Sequence, residues 1–486
     1  QHFTCELTTR GISSATATNR FVIYASTTGN VFLDVVTVMP PTWKNRPNGL
    51  RPDLAEKLAA LKLQYTHFPG GCTAESAGVD AHWNWKNSIG PIEQRPGSTR
   101  NRWKYKNDLY FGLDEHLQLC EDLGTEPVYT TSAGISETAQ SKVWFAVCPL
   151  DKMQPIIDDI LDLLEYCNGA TSTTWGAKRA ANGHPKPYNL RYIEIGSENG
   201  YETEKEYSSR YSMIRASILT RYPDIKIMFN GFRLASYNED IRFLIQKNML
   251  SQANTLSHTS GNEVDFTDEH FYFKDLSVFY NKFDSIDPAC KKICVAEYAS
   301  SIKGNGGNII GNFGDALGDA VFMLGCEKNS ERIWWTGYGN FGGFVGHSNF
   351  GPCIVWHDAV SCFASPSYYM QKMLFTDNPG TRLLSFTQNT VNCYWSASAD
   401  IGNGKRDILL KVVNNRGTSE SVDITIKGAN KVNESGYATT LTGAPDAENS
   451  IEEPTKVVPS TSSFTAGNSF NYSFPAYSVT VLRVGY

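Results

Sequence analysis

The sequence has 486 residues, too many for one hydrophobic core, so it predicts two or more domains. Apolar residues make up 41% and charged residues 19%, which excludes a largely disordered chain. The net charge of −6 indicates no nucleic-acid or anionic-membrane partner, and no apolar stretch reaches the roughly 18 residues of a membrane-spanning helix.

Residues 1–45 are predicted to be a β-rich N-terminal segment. They contain "FTCELTT", "RFVIYAST" and, at 30–40, "NVFLDVVTVMP". The chain starts at Gln1, which is typical of a mature, processed protein. The 11 cysteines include no CxxC pair, and glycosylation sequons stand at Asn433 and Asn471. Together these features favour a secreted glycoprotein.

Residues 46–375 alternate between amphipathic helices and short β-rich runs. Helices are predicted over 49–63, 108–124, 153–169 and 207–223, and strands over 64–71, 126–133, 190–198, 226–232, 263–272, 291–299 and 331–339. Such alternation indicates parallel strands joined by crossover helices, so we expect an α/β fold with a (β/α)8 catalytic barrel. An eighth strand is still needed, and residues 30–40 are the candidate within this sequence.

The pattern changes at residue 376 to short alternating strands separated by Gly, Asn and Pro. "RDILLKVVNN", "SVDITIKG" and "YSVTVLRVGY" are examples. Alternation with a period of two predicts that residues 376–486 form a C-terminal antiparallel β-sandwich.

The candidate catalytic residues come from the predicted barrel strands, because (β/α)8 enzymes carry their active sites where those strands end. The residues that qualify are His67, Glu198, His270, Tyr272, Glu297 and Trp335. Glu198 and Glu297 each follow a buried run, where a carboxylate is costly to desolvate unless it is used. Paired carboxylates are typical of glycoside hydrolysis: one protonates the leaving oxygen, and the other attacks the sugar or stabilises its charge.

Three further polar residues lie on the predicted barrel strands. Glu194 has the strand parity of Glu198 and is interpreted as a structural carboxylate deeper in the barrel. His270 and Tyr272, in "DEHFY", are either a polar pair at the barrel rim or part of the site, with Tyr272 donating a hydrogen bond to ionised Glu297. The sequence has no HExxH motif and no Cys/His cluster, so no metal and no other cofactor is predicted.

Several stretches resemble one enzyme family when they are taken together and in order. They are "NGLRPDLAEKLAALK", "FPGGC", "LQLCEDLGTEPV", "WGAKRAANGHPKPYNLRYIEIGSENG", "DEHFY", "VAEYA" and "PSYYMQKML". The chain resembles glycoside hydrolase family 51, the α-L-arabinofuranosidases. The resemblance implies a retaining barrel glycosidase in which Glu198 is the acid/base, Glu297 is the nucleophile and Tyr272 touches the nucleophile.

Three positions depart from the pattern of the family. Ser197 stands where the family usually has an Asn that contacts the sugar 2-hydroxyl, and His67 stands where it has Arg. Cys72 stands where many members have Asn and some have Cys. The resemblance implies that these three positions bind substrate, and the changes leave the sugar specificity open.

The first barrel strand of the family has no counterpart in this sequence. That strand carries a "Phe-Glu-Asp"-like segment, and in longer members an inserted β-sandwich follows it, whose tail resembles "RFVIYASTTGNVFLDVVTVMPPTWK". The resemblance implies that residues 1–40 end such a sandwich, and that a separate upstream fragment, held non-covalently or by a disulfide, supplies the strand. The alternative is that residues 30–40 close the barrel.

The predicted function is a secreted, retaining exo-α-L-arabinofuranosidase acting on plant arabinan or arabinoxylan. Its chemistry needs a raised pKa at Glu198 and an ionised Glu297. Tyr272, His270 and Trp335 complete the predicted substrate-binding set, with Trp335 packing on a sugar face. The alternatives are a retaining glycosidase for another glycan (β-D-galactofuranoside, xylan or β-glucan), a non-catalytic carbohydrate-binding protein and a structural protein.

Overall fold

A sheet of seven parallel strands forms the centre of the computed structural model. The structure describes residues 5–8, 20–24, 26–76, 78–79, 82–98, 106–137, 145–199, 204–230, 264–273, 275–284, 292–300, 311–348, 351, 353–389, 392–402 and 404–486. The strands follow one another across the sheet in chain order. They are β1 (Tyr65–Phe68), β2 (Glu126–Thr131), β3 (Tyr192–Ile195), β4 (Lys226–Asn230), β5 (Phe266–Phe273), β6 (Lys292–Ser300) and β7 (Ile333–Tyr338). All seven correspond to predicted strands.

Helices alternate with these strands. They are α1 (Pro52–Leu61), α2 (Gly71–Glu75), α3 (Leu113–Leu123), α4 (Gln154–Asn168), α5 (Thr174–Ala181), α6 (Glu204–Arg221), α7 (Phe313–Lys328) and α8 (Pro366–Gln371). Short 3₁₀ turns occupy Trp43–Asn45, Trp85–Ser88, Ile92–Gln94, Leu150–Lys152 and Leu276–Phe279, and a π-turn occupies Lys372–Thr376. The helix ends follow local chemistry: α3 stops at Gly124, which is left-handed, and α7 starts from an Asn312–Asp315 capping box.

The barrel is nearly closed between its first and last strands. Tyr65 of β1 stacks on Trp335 of β7, with ring centroids 5.9 Å apart. These two strands are not hydrogen-bonded to each other in the described part of the chain. The alternative in which residues 30–40 form the eighth strand is wrong, because these residues are in no strand and Phe32 is 94% exposed.

The N-terminal segment also differs from its β-rich prediction. In the part of residues 1–45 that the structure describes, no residue is in a strand, and the only regular element is the turn at Trp43–Asn45. Apolar side chains such as Tyr24, Val31 and Leu33 are exposed. Alternating apolar residues form a stable strand only when a partner covers one face, and the described chain supplies none to these residues.

The C-terminal region forms two antiparallel sheets. One has six strands, which in sheet order are Arg382–Leu383, Tyr394–Gly402, Lys405–Asn414, Ser478–Gly485, Ser435–Thr442 and Ser460–Thr465. The other pairs Glu420–Thr425 with Ser469–Phe474. Trp395 and Leu482 of the first sheet share a core with Phe474 of the second. This packing confirms the predicted β-sandwich.

Helix α7 joins the barrel to the sandwich. Its Phe313 and Val321 are buried in a core that includes Leu409 and Val481 of the large sandwich sheet. At the same junction Lys411 lies 2.5 Å from Glu327, and its side chain is fully buried. The sandwich therefore supports the helix that follows β6.

Two smaller sheets lie within the described residues. Ile135–Glu137 pairs with Phe145–Val147, and Gly342–Phe344, Val355–His357 and Cys362–Ala364 form a three-stranded sheet. Within the described ranges, no helix combines the length and apolarity needed to cross a membrane. None of the nine cysteines whose side chains are described forms a disulfide.

Candidate active site

The pairing of β5 with β6 contains a bulge that places two predicted site residues side by side. Asp268 is opposite Cys294, but His270 is opposite Glu297, so β6 carries one extra residue between these pairs. Asp268 Oδ1 accepts a hydrogen bond from the Ala296 N–H (2.9 Å) inside the bulge. The shift in register aligns His270 with Glu297 near the carboxyl ends of both strands.

Glu198 comes from a tight loop rather than from a strand end. The sequence predicted that this strand ends at Glu198. Strand β3 ends three residues earlier, at Ile195. Gly196 and Glu198 both have positive φ (75° and 54°), which breaks the strand. The Ser197 N–H donates to Asn199 Oδ1 (3.0 Å), and a Cβ on Gly196 would collide with that oxygen. The loop therefore needs glycine at position 196.

The two predicted catalytic carboxyls meet across His270. Its Nδ1 lies 2.9 Å from Glu198 Oε1 and 3.7 Å from Glu297 Oε2, and one carboxyl oxygen of Glu198 lies within 4.8 Å of one of Glu297. The Tyr272 hydroxyl donates to Glu297 Oε2 (2.7 Å), as the functional interpretation of "DEHFY" predicted. A Cβ on Gly71, which has a φ of 42°, would collide with Glu297 Oε1, so the backbone after β1 approaches this carboxyl closely.

The pKa of Glu297 differs from the expected one in direction. Burial raises the pKa of Glu297 above its ordinary value; His270 and Tyr272 lower it, while Glu198 raises it further. The expectation was a nucleophile whose pKa is held down, and burial overrides the Tyr272 hydrogen bond. Burial by itself lowers the pKa of His270, but Asp268 and Glu297 raise it well above 6.5. His270 therefore places a positive charge between the two carboxyls.

A second polar cluster lies deeper in the barrel. Glu194 is fully buried and accepts hydrogen bonds from the Thr130 hydroxyl (2.7 Å) and from Asn230 Nδ2 (3.2 Å). His67 Nε2 lies 2.6 Å from Glu194 Oε2, the oxygen that also accepts from Thr130. Burial alone would raise the pKa of Glu194, but His67 lowers it to about 2. These contacts agree with the interpretation of Glu194 as a structural carboxylate.

His67 and Trp335 both lie in the barrel interior. His67 is paired with Glu194, and its ring centroid is 6.0 Å from that of Trp335. Trp335 is opposite Cys294, below the level of Glu297, and β7 continues beyond it to Tyr338. Trp335 is therefore not at the end of its strand, and its contact with a sugar remains a prediction.

The other predicted residues fall into three groups. The Ser197 side chain is buried beside Glu198, and its hydroxyl has no hydrogen-bond partner among the described residues. The side chain of Cys72 lies outside the described part of the structure. Asn433 and Asn471 are exposed on the sandwich, so their side chains are accessible for glycosylation.

Among the described residues, two sets of side chains have ligand atoms close enough to hold a metal ion. They are Glu194, Asp268 and His270, and Glu198, His270 and Glu297. Glu194 and Asp268 already accept hydrogen bonds from Thr130, Asn230 and the Ala296 N–H. The second set is the carboxylate pair itself, whose geometry suits acid/base and nucleophilic chemistry directly.

Several residues of the site were not identified from the sequence. Asp268 lies 2.8 Å from His270 Nε2, and Asn230 bridges Asp268 and Glu194. A signal for Asp268 was present, because it has the strand parity of His270 and Tyr272. Glu75, in the helix after β1, has no such signal, since its partners come from two other strand-end loops.

Comparison with known proteins identifies the family of the chain. The family model described as "Alpha-L-arabinofuranosidase 1 domain" matches residues 57–291, and "Alpha-L-arabinofuranosidase C-terminal domain" matches residues 297–478. The chain belongs to the α-L-arabinofuranosidases of glycoside hydrolase family 51. Both predicted catalytic glutamates of this family member lie within the matched regions, Glu198 in the first and Glu297 at the start of the second.

Individual relatives agree with this family assignment. Alpha-L-arabinofuranosidase A of Aspergillus kawachii is 32% identical over 461 residues, covering 92% of this chain and 66% of that protein. Alpha-L-arabinofuranosidase 1 of Arabidopsis thaliana is 29% identical over 439 residues, covering 89% and 59%. An arabinose-bound structure of a family 51 α-L-arabinofuranosidase superposes with a TM-score of 0.77 and 27% identity, covering 92% of this chain and 68% of that one. This family 51 chain thus spans about three fifths to two thirds of the length of these curated relatives.

Proposed function

We propose that the protein is a retaining α-L-arabinofuranosidase that removes terminal arabinofuranosyl groups. The observation that carries this proposal is the approach of Glu198 and Glu297 oxygens to within 4.8 Å of each other. Retaining glycosidases hold their carboxyls about 5–5.5 Å apart, whereas inverting ones leave about 6.5–9.5 Å for a water molecule. The spacing therefore favours double displacement.

In the first step Glu297 is the nucleophile. One of its carboxylate oxygens forms a bond to the anomeric carbon while the bond from that carbon to the leaving oxygen breaks. Glu198 gives its proton to the leaving oxygen as that bond breaks. His270⁺ and the Tyr272 hydroxyl hold Glu297 in place and favour its ionised form, which offsets part of the cost of its burial.

In the second step the glycosyl-enzyme is hydrolysed. Glu198, now ionised, takes a proton from a water molecule whose oxygen attacks the anomeric carbon, and Glu297 leaves as a carboxylate. Two inversions give net retention of configuration. His270 Nδ1, 2.9 Å from Glu198 Oε1, stabilises the ionised Glu198 between the two steps.

A furanose-shaped aziridine probe tests the nucleophile and the sugar together. The wild type is expected to become labelled on Glu297, identified by mass spectrometry of the peptide, and Glu297→Gln is expected to stay unlabelled. A panel of nitrophenyl glycosides then compares α-L-arabinofuranoside with β-D-galactofuranoside, xyloside and β-glucoside. Cleavage of another glycoside in preference to the arabinofuranoside would overturn the sugar assignment, and binding without turnover would overturn the enzyme assignment.

We also propose that the enzyme is secreted and glycosylated and acts on plant arabinan or arabinoxylan. A relative from Streptomyces chartreusis, 31% identical over 391 residues, is described as an extracellular exo-alpha-L-arabinofuranosidase. The exposure of Asn433 and Asn471 is compatible with glycans at both positions. Intact mass before and after deglycosylation of the native protein tests this, and an unchanged mass would contradict it.

We propose that a separate N-terminal fragment supplies a strand between β1 and β7. These strands are not hydrogen-bonded to each other within the described residues. The apolar side chains of Val31, Phe32 and Leu33, in the segment that precedes the barrel, are exposed. Native mass spectrometry of the active protein would then reveal a second polypeptide. Full activity from the 486-residue chain alone would contradict the proposal.

We further propose domain boundaries that divide the chain into residues 1–45, 46–375 and 376–486. The parallel strands all lie in the second range, and the large antiparallel sheet lies in the third. Limited proteolysis is expected to cut first within 1–45, and cleavage inside β1–β7 at the same rate would contradict this division.

A further inference from the structure

The short helix α2 connects the surroundings of the two catalytic carboxyls. Its first residue, Gly71, lies against Glu297 Oε1. Its last residue, Glu75, is 1% exposed and lies against the loop that carries Glu198. A helix rises about 1.5 Å per residue, so its two ends are roughly 6 Å apart, similar to the spacing of the carboxyls themselves.

The Glu75 carboxyl binds two loops that end neighbouring barrel strands. After β2, the Ser132 hydroxyl donates to Oε2 (2.7 Å) and the Ala133 N–H donates to Oε1 (3.2 Å). After β3, the carboxyl interacts with the Asn199 side chain and with the Ser197 backbone. Ser197 and Asn199 are the residues on either side of Glu198 in the chain.

The loop around Glu198 requires such support. Gly196 and Glu198 have left-handed backbone conformations, and a non-glycine residue with positive φ is held there only by its surroundings. The bond from the Ser197 N–H to Asn199 Oδ1 fixes the loop internally, but it does not fix the loop to the barrel. The Gly196 N–H holds the start of the loop to the Thr131 carbonyl of β2 (2.7 Å), and Glu75 connects the residues on either side of Glu198 to the barrel.

We propose that Glu75 is a positioning residue for the acid/base Glu198: it anchors the 196–199 loop to the end of β2 and thereby aims the Glu198 carboxyl at the leaving oxygen. This inference rests on the proposed glycosidase function. The contacts of Glu75 in this loop are with Ser197 and Asn199, so it acts through these two residues.

The charge state of Glu75 allows a neutral replacement. Burial raises the pKa of Glu75 to about 8, although its hydrogen bonds to Ser132 and Ala133 oppose the rise. At neutral pH the side chain is therefore mostly a neutral acid. Glutamine has the same length and keeps an acceptor oxygen, so Glu75→Gln is expected to retain the anchor, whereas Glu75→Ala removes it.

A leaving-group series tests the proposal. It consists of α-L-arabinofuranosides with dinitrophenyl, nitrophenyl, phenyl and alkyl leaving groups, with kcat/KM measured for each because this parameter reports the first step. General acid catalysis contributes roughly 10²–10⁴-fold to the rate, and substrates with poor leaving groups depend on it most. Glu75→Ala is expected to lose about 100-fold on the alkyl substrate and less than about threefold on the dinitrophenyl one, and Glu75→Gln is expected to follow the wild type.

Asp319→Ala is the matched control. Asp319 is also fully buried, and it accepts one hydrogen bond from a backbone N–H (Ser300, 2.7 Å) and one from a serine hydroxyl (Ser367, 2.7 Å). Its removal is expected to lower stability and to reduce activity equally across the series. If Glu75→Ala does not fold, Glu75→Asp, which shortens the anchor by one methylene, is expected to show the same leaving-group dependence.

Two outcomes overturn the proposal in distinguishable ways. A loss that is equal for all leaving groups in the folded Glu75 variants would make Glu75 a structural residue only, with the glycosidase function intact. A wild type that cleaves no member of the series would overturn the glycosidase function and this inference with it.

Discussion

The barrel contains two pairs of carboxyls at different depths, and His270 lies next to both. The upper pair, Glu198 and Glu297, has side chains that are 8% and 17% exposed. The lower pair, Glu194 and Asp268, is fully buried. All four residues are acidic, and all lie on or directly after the strands of one sheet.

The two pairs differ in the partners of their oxygens. In the lower pair, Glu194 is bound by His67, Thr130 and Asn230, and His67 lowers its pKa to about 2 despite burial. In the upper pair, Glu297 has one hydroxyl donor and a histidine 3.7 Å away, and burial raises its pKa. A carboxylate with saturated partners stabilises the fold, whereas one with accessible oxygens is available to react.

The largest effect is expected from removing the nucleophile. Glu297→Gln should lower kcat on a nitrophenyl arabinofuranoside by at least about 10³-fold, because an amide oxygen does not form the glycosyl-enzyme. Its thermal midpoint should stay close to that of the wild type. Glu269→Gln changes another buried acid on β5 and serves as the control, which should keep most of the activity. Residual activity above a tenth of the wild-type value would contradict the role of Glu297.

Substitution in the lower pair should lower the free energy of unfolding rather than the catalytic rate. Glu194→Gln leaves His67 without its countercharge in the barrel interior and should lower the free energy of unfolding by about 3 kcal/mol. Denaturant titration measures this change. The double variant Glu194→Gln/His67→Gln should recover part of the loss, and a single-variant effect under about 1 kcal/mol would show that the pair is not an important stabilising contact.

The same pair predicts a dependence of stability on acid pH. The pKa of Glu194 is about 2 in the folded protein, against an ordinary value of 4.5. A carboxyl with a depressed pKa stabilises the fold fully above its unfolded pKa, and this contribution is lost as the pH falls from about 4.5 towards 2. Unfolding midpoints measured across this range should fall more steeply in the wild type than in Glu194→Gln, and parallel slopes would contradict the assignment.

The smallest of these effects should come from Tyr272→Phe. Loss of the 2.7 Å hydrogen bond to Glu297 should reduce kcat/KM roughly 10- to 150-fold, since a hydrogen bond to a charged group contributes about 1.5–3 kcal/mol. Because Tyr272 lowers the pKa of Glu297, the acid limb of the pH–rate profile should move to higher pH. An unmoved acid limb would show that the hydroxyl does not tune the nucleophile.

The sequence by itself determined the strand–helix alternation, the C-terminal sandwich and both catalytic candidates. These features have local signals: hydrophobic periodicity, and an acidic residue directly after a buried run. The contact between Tyr272 and Glu297 was one of two interpretations that strand parity allowed, and the resemblance to the family implied it.

Only the tertiary structure decided how these residues meet. The bulge that aligns His270 with Glu297, the positive φ of Glu198, the pairing of His67 with Glu194 and the anchor at Glu75 join segments that are far apart in the chain. The net pKa of Glu297 likewise depends on how deeply the finished barrel buries it. Periodicity specifies which face a residue occupies, whereas register, loop conformation and burial depth are fixed by packing between elements.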